Sequence, residues 1–183
     1  MDSMTRRSLL IATGACATAA ATPSFARSRA SIDAAVRAKI EEMQSQLPFT
    51  QTLVEHAAGM LVIPRITKAG LMVGGAYGEG ALVIGNAPVD YYSVAAASFG
   101  FQIGLQQMAS VLFFMSSDRL TQFRQRDGWT LGADLEYAVI EKGETAAIDT
   151  NTYKDDVFAV VFGQKGLLAG ASIEGSKYSR IVR

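Results

Sequence analysis

The chain has 183 residues, 49% of them hydrophobic and 19% charged, with a formal net charge of zero. That excludes a long disordered polymer and a strongly basic nucleic-acid binder, and fits one domain with a packed core plus a short leader. A single cysteine, Cys16, and a single histidine, His56, exclude an internal disulfide and a zinc site built from His and Cys.

Residues 1–26 read as a targeting segment. Thr5-Arg6-Arg7-Ser8-Leu9-Leu10 follows the twin-arginine pattern in outline, and a mostly apolar stretch over residues 9–21 comes next. Ser24-Phe25-Ala26 sets small residues at the two positions a signal peptidase reads. The apolar stretch is shorter than the roughly 20 residues that span a bilayer. The expectation is export to the periplasm or cell envelope; a frayed cytoplasmic N-terminus is the alternative. Thr13-Gly14-Ala15-Cys16 is a loose lipobox, with Thr13 where leucine is usual. Acylation of Cys16 would anchor the chain to a membrane, whereas the plainer reading is a small residue in an apolar leader.

The remaining chain, residues 27–183, reads as one domain. A helix is expected over residues 31–46, capped by Ser31 with Asp33 in its first turn. Ile32, Val36, Ile40, Met43 and Leu47 recur on one face, a stripe that docks on the domain's own core more often than on a membrane. Pro48 ends it, and a shorter helix follows over residues 50–58. Residues 60–63 form a buried strand ended by Pro64. A long glycine-rich strand covers 69–84, with Ala76, Gly78 and Gly80 on one face and Val73, Tyr77 and Val83 on the other. Such a strip of small residues requires close packing against it or a sharp bend. Residues 86–90 read as a loop. Over residues 94–115 the apolar run is interrupted by Gln102, Gln106 and Gln107, and Phe99, Phe101, Ile103 and Leu105 alternate with glycine and glutamine. That is strand periodicity, and it argues against a membrane helix. A helix capped by Ser117 is expected over 118–126, then strands over 131–140, 157–162 and 167–173. The sum is an α+β fold, N-terminal helices followed by a largely antiparallel sheet.

Catalytic machinery is hard to assemble from these residues. Gly-x-Ser-x-Gly is absent, and His56 sits on a short helix among Leu53, Val54 and Ala57 with no partners for a catalytic role. Asp149, Asp155 and Asp156 lack EF-hand spacing and read as a solvated loop. The glycines over residues 74–80 form neither a dinucleotide fingerprint nor a P-loop. No cofactor, no metal and no enzymatic activity are expected.

Three blocks resemble the SYLF domain family: Ile63-Pro64-Arg65-Ile66-Thr67-Lys68-Ala69-Gly70-Leu71-Met72-Val73-Gly74-Gly75-Ala76-Tyr77-Gly78-Glu79-Gly80, then Ala97-Ser98-Phe99-Gly100-Phe101-Gln102-Ile103-Gly104-Leu105-Gln106, then Lys165-Gly166-Leu167-Leu168-Ala169-Gly170-Ala171-Ser172-Ile173-Glu174-Gly175-Ser176. The resemblance spans residues 31–181. It implies helices over a strongly curved sheet and phospholipid binding, with phosphoinositides the ligand discussed for eukaryotic members. It brings no catalytic residues. Lys68 matches the lysine of the family's Lys-Ala-Gly motif and Lys165 the one before its Gly-Leu-Phe-like run, where Leu168 stands in place of Phe. The extra N-terminal segments of eukaryotic members are not evident, so curvature sensing and actin binding are not carried over.

The residues themselves point the same way in part. A lipid site needs apolar surface beside cations that meet phosphate. Residues 165–183 carry Lys165, Lys177, Arg180 and Arg183 against one acid, Glu174. Arg65 and Lys68 join them if the fold brings them near; each is otherwise a solvated surface charge. Two functions follow. One is an envelope domain that binds anionic phospholipid head groups through Lys68, Arg65, Lys165, Lys177 and Arg180. The other is a structural or protein-interaction domain of the envelope without specific lipid recognition. The partners expected are phospholipids and an anionic membrane surface, with an envelope protein in the second case, and no nucleic acid.

Overall fold

The computed structural model describes residues 27–71, 73–99, 104–132, 138–140, 156–166, 173 and 175–183. The elements run α1 (Arg29–Gln46), α2 (Thr50–His56), β1 (Gly59–Leu71), β2 (Val73–Ile84), β3 (Ala87–Phe99), β4 (Gly104–Phe114), α3 (Ser117–Gln125), β5 (Gly128–Thr130), β6 (Ala138–Ile140), β7 (Val157–Gly166) and β8 (Lys177–Ile181). The fold is α+β. The strands form one sheet in the order β5-β8-β3-β2-β1-β4-β7-β6. Every neighbouring pair among the described residues is antiparallel except β6 with β7, which is parallel.

Two apolar layers sandwich the sheet. On one face Ile32, Val36, Met43 and Leu47 of the first helix and its end, with Leu53 of α2, pack on Val62, Ala81, Val111, Phe113, Phe158 and Val160. Four of the five stripe positions are each 6% exposed or less, and the fifth, Ile40, is half-buried against the same cluster. Such burial stabilises by roughly 1.5–3 kcal/mol per side chain. On the other face Leu120 and Phe123 of α3 join Leu61, Leu82, Tyr92, Leu112, Phe114, Trp129 and Tyr178. Adjacent residues such as Leu61 and Val62 belong to opposite layers, so these strands are apolar on both sides instead of alternating.

Several boundaries differ from those expected. The caps are Ser28 and Ser116, not Ser31 and Ser117: their Oγ atoms accept from the backbone N–H of Ser31 and Arg119, each at 3.3 Å. Asp33 consequently lies beyond the first turn of α1, where it accepts a 2.9 Å hydrogen bond from the Tyr91 hydroxyl. Pro64 does not end its strand. β1 runs through it because one extra residue is accommodated between Val62 and Ile66 against β2, and between Ile63 and Ile66 against β4. A proline has no N–H for the ladder, and a bulge is where a strand tolerates that. The stretch 69–84 is not one strand but the two arms of a hairpin, Leu71 pairing with Val73. Gly85 and Asn86, with φ of 52° and 67°, make the next turn, and β3 begins at Ala87 instead of after a loop. Residues 177–181, read for charge alone, form β8. Of the strand expected over 131–140, residues 138–140 are strand. The leader, Cys16, Asp149, Asp155 and residues 167–172 lie outside the described residues.

What packs against the small-residue strip is the bulge of β1. A Cβ built on Gly80 would sit 1.9 Å from the Val62 carbonyl oxygen, and one on Gly78 would sit 2.6 Å from that of Arg65. No other residue type fits without moving backbone.

Under α3 the Tyr92 side chain is 1% exposed, and its hydroxyl has no hydrogen-bond partner among the described residues. Burial first, then the negative charge of Asp90, pushes its pKa up to about 12 from an ordinary 10.0. The folded state thus holds the phenol proton more tightly than the unfolded chain. This contribution to stability is complete below pH 10 and is lost as pH rises towards about 12. Tyr92→Phe removes an unsatisfied buried hydroxyl, so stability at pH 8 is expected to be unchanged or slightly higher. Urea midpoints at pH 8, 10 and 11 should fall less steeply for the variant; parallel curves would show that Tyr92 does not govern the alkaline limb.

Candidate functional site

The bulges position the cations. At Pro64–Arg65 the extra residue of β1 breaks the alternation, and Arg65 is exposed beside the buried Ile66. In β7 the register against β4 shifts between Gln107 and Ala109, where two residues, Gly163 and Gln164, oppose Met108 alone. Gly163 takes φ of 65°, a conformation that favours glycine. Between these two bulges and α1 lies a cavity of about 330 Å³. Arg27, Lys39, Arg65 and Lys165 line it with Glu42, over walls that include Ala35, Ala38 and Met108.

The charges there do not cancel. Lys39 is held by Glu42 at 2.6 Å. Arg27, Arg65 and Lys165 have no ion-pair partner among the described residues, leaving three cations beside a hollow of mixed polar and apolar lining. An adjoining opening of about 420 Å³ shares Arg27 and Arg65 and extends over Thr67 and Tyr77 to Glu79. The Glu79 carboxylate is already committed: it accepts from the Tyr77 hydroxyl at 2.7 Å and pairs with Arg183. Burial first, and then the hydrogen bond to Glu79, raises the Tyr77 phenol above its usual range. The backbone carbonyl of Arg183 in turn accepts from Arg29 Nε, so the C-terminal residue is tied to β2 and to the start of α1. Such an arrangement is a set of hydrogen-bond donors around a hollow, with the Glu42 carboxylate paired to Lys39. It can hold an anion, with Arg65 and Arg27 offering forked donors and Lys165 a mobile point charge. A third hollow, about 470 Å³ between α1, α2 and the strands, carries Asp33 and Glu41 against Arg37 and does not favour an anion.

The five cations expected to share a site are divided by the sheet. Arg65 and Lys165 meet in the cavity. Lys68 follows Ile66 by two residues and so lies on the opposite face, the one α3 covers; burial pulls its ammonium below the usual lysine range. Lys177 is exposed and on the α1 face, because its neighbour Tyr178 belongs to the other layer, but β3, β2, β1 and β4 separate it from β7. Arg180 pairs with the buried Asp90, which also binds Arg124 at 2.8 Å, so its role is to tie β8 to β3 and α3. Arg27 and Lys39 belong to the cavity and were not singled out by the sequence. Arg27 precedes the cap of α1 and Lys39 borders its apolar stripe, with its ammonium 5.9 Å from the Phe162 ring centroid, and no local pattern links either to residue 65 or 165.

His56 is exposed on α2, its Nδ1 2.8 Å from the Thr52 carbonyl. Among the described residues no cluster of three His, Cys, Asp or Glu side chains is disposed to hold a metal ion, and no helix is long and apolar enough to cross a membrane.

Residues 95–181 match the family model described as "Ysc84: Las17-binding protein actin regulator". The matched span runs from the middle of β3 to the end of β8 and includes Gln107, Lys165 and Lys177, whereas α1 and Arg65 precede it. A comparison with curated proteins found no match.

Proposed function

From the premise that residues 95–181 belong to the Ysc84, or SYLF, family, we propose that this protein binds the head groups of anionic phospholipids in a bacterial cell envelope. The single observation that carries this reading is the convergence of Arg27, Arg65 and Lys165, without acidic partners, at one cavity beside apolar walls. A phosphodiester needs charge-assisted donors from more than one direction, and a lipid head group also needs a route to apolar surface. The role is binding and not catalysis, and it requires no cofactor or metal. In this reading residues 1–26 export the chain, residues 27–183 are the working domain, and the bulges at residues 64–65 and 163–164 give the sheet a strong curvature. Lys68 and Arg180 are structural cations rather than ligands. A second reading draws on the family model's own description as a Las17-binding protein: an interaction domain that recognises an envelope protein and not a lipid.

Co-sedimentation with neutral and anionic vesicles at low and high salt separates the two. Parent protein is expected to sediment with anionic vesicles only, and less at high salt because the Debye length shortens. Each basic residue at an anionic surface is worth about 1 kcal/mol. Arg65→Glu combined with Lys165→Glu is therefore expected to weaken binding by at least about thirtyfold, while Arg180→Glu, outside the cavity, is compared at matched stability. Absence of binding to every vesicle would leave the interaction-domain reading in place.

A further inference from the structure

The register places the cations of the α1 face at the two ends of one row. Lys177 pairs with Ala95, Ala95 with Tyr77, Tyr77 with Thr67, Thr67 with Gln107, and Gln107 with Lys165. These six residues cross six adjacent strands on one face. Two residues further along the strands comes a second row, Ala97, Gly75, Ala69 and Leu105. Every member of that second row is exposed, Leu105 by 57%, and in the first row Tyr77 is exposed by 54%. On the opposite face of the same strands Gln106 is buried and Lys68 and Ala76 are half-buried. The α1 layer covers the face up to Arg27 and Arg65 and, among the described residues, no side chain covers it beyond.

We infer that this uncovered strip of sheet is the surface that lies against an anionic bilayer, with Leu105 and Tyr77 entering the interface between the flanking cations Lys165 and Lys177. The inference rests on the head-group reading above and names the surface that presents the cavity to lipid. Charge selects this occupant. Lys177 and Lys165 bound the strip and Arg27 and Arg65 stand behind it, while Glu79, two residues from Tyr77, is paired with Arg183. A second copy meeting this face would set cations against cations, whereas an anionic membrane attracts all of them. Small residues at 69, 75, 95 and 97 add little bulk to the strip, so that Leu105 stands out from it, with the Tyr77 ring exposed beside it and its hydroxyl tied to Glu79. An amphipathic tyrosine suits the head-group level of a bilayer.

The test uses the purified protein with three probes: anionic phosphatidylglycerol vesicles, neutral phosphatidylcholine vesicles, and a short-chain phosphatidylglycerol kept below its micelle concentration. Leu105→Asp is expected to lower affinity for anionic vesicles at least about tenfold, since a carboxylate replaces the inserted leucine. It should leave binding of the monomeric short-chain lipid unchanged. Leu105→Trp is expected to show a blue-shifted emission and quenching by brominated acyl chains on anionic vesicles alone. Undiminished vesicle binding by Leu105→Asp, or an unshifted Leu105→Trp spectrum on vesicles that carry bound protein, overturns the docking surface. Failure of the parent to bind the short-chain lipid while Leu105→Trp still inserts overturns the head-group pocket and leaves the docking surface standing. A Leu105→Asp variant that loses both the vesicle and the monomeric lipid has a damaged pocket, and counts against a separate docking role.

Discussion

Gly80→Ala is expected to destabilise the fold by on the order of 3 kcal/mol or more, while Gly75→Ala, five residues earlier in the same strand, stays within about 1 kcal/mol of the parent. Gly80 is buried and Gly75 exposed, and the two differ in what a methyl group meets. At Gly80 it would lie 1.9 Å from the Val62 carbonyl oxygen and 2.8 Å from its carbon. Both are backbone atoms of a paired strand, and no rotamer change relieves them. At Gly75 the nearest atom is the Ala96 carbonyl oxygen at 3.7 Å, an ordinary contact. Relief at Gly80 requires β1 and β2 to separate at the bulge that presents Arg65, so loss of stability and loss of anion binding should appear together. Urea denaturation measures the first, as a lower midpoint at unchanged slope. A Gly80→Ala midpoint equal to that of Gly75→Ala would mean that β1 does not approach β2 this closely.

Phe123→Ala is expected to cost about 3–5 kcal/mol, the range for emptying an aromatic site in a closed core. Phe123 is 0% exposed, and its ring lies 5.0 Å from Tyr92, 4.8 Å from Phe114 and 5.9 Å from Trp129 between centroids. Pairs of this kind add about 0.5–1.5 kcal/mol beyond the area they bury. The cost falls on the attachment of α3, whose described contacts with the sheet are otherwise carried mainly by Leu120. Trp129 Nε1 donates to the Phe123 backbone carbonyl at 2.9 Å, which satisfies one of the carbonyls left open at the end of α3. That bond does not need the ring, so the variant should keep its helix content while the near-ultraviolet signal of Trp129 weakens. A loss of stability below about 1.5 kcal/mol would show that the face under α3 repacks freely.

Much of this architecture is legible along the chain. Spacing at Ile32, Val36, Met43 and Leu47 identifies the buried side of α1, because a helix repeats every 3.6 residues and only one side meets the core. The strip Ala76, Gly78 and Gly80 correctly announces a close approach, and Gly104–Phe114 is strand as its glutamine-interrupted periodicity implies, while residues 100–103 lie outside the described residues. Reading fails where local propensity is overruled by pairing. Pro64 and Pro88 look like strand breaks, yet β1 and β3 pass through both, since extra residues there are absorbed as bulges against neighbours far away in sequence. The hairpin of β1 and β2 is missed for the opposite reason: the glycines in its arms fit one long strand as well as two short ones.

Composition and periodicity by themselves determine an α+β fold, helices first, with no histidine–cysteine metal site, and the three blocks carry the family resemblance. Which cations come together is decided only by the tertiary structure. Arg65 and Lys68 are three residues apart and end on opposite faces, because a strand turns alternate side chains to alternate sides and a bulge resets the count. Arg27 and Lys165 are 138 positions apart in the numbering and line one cavity, because α1 runs beside the bulges of β1 and β7, which flank β4. Strand register is set by pairing between distant segments, and no local pattern encodes it.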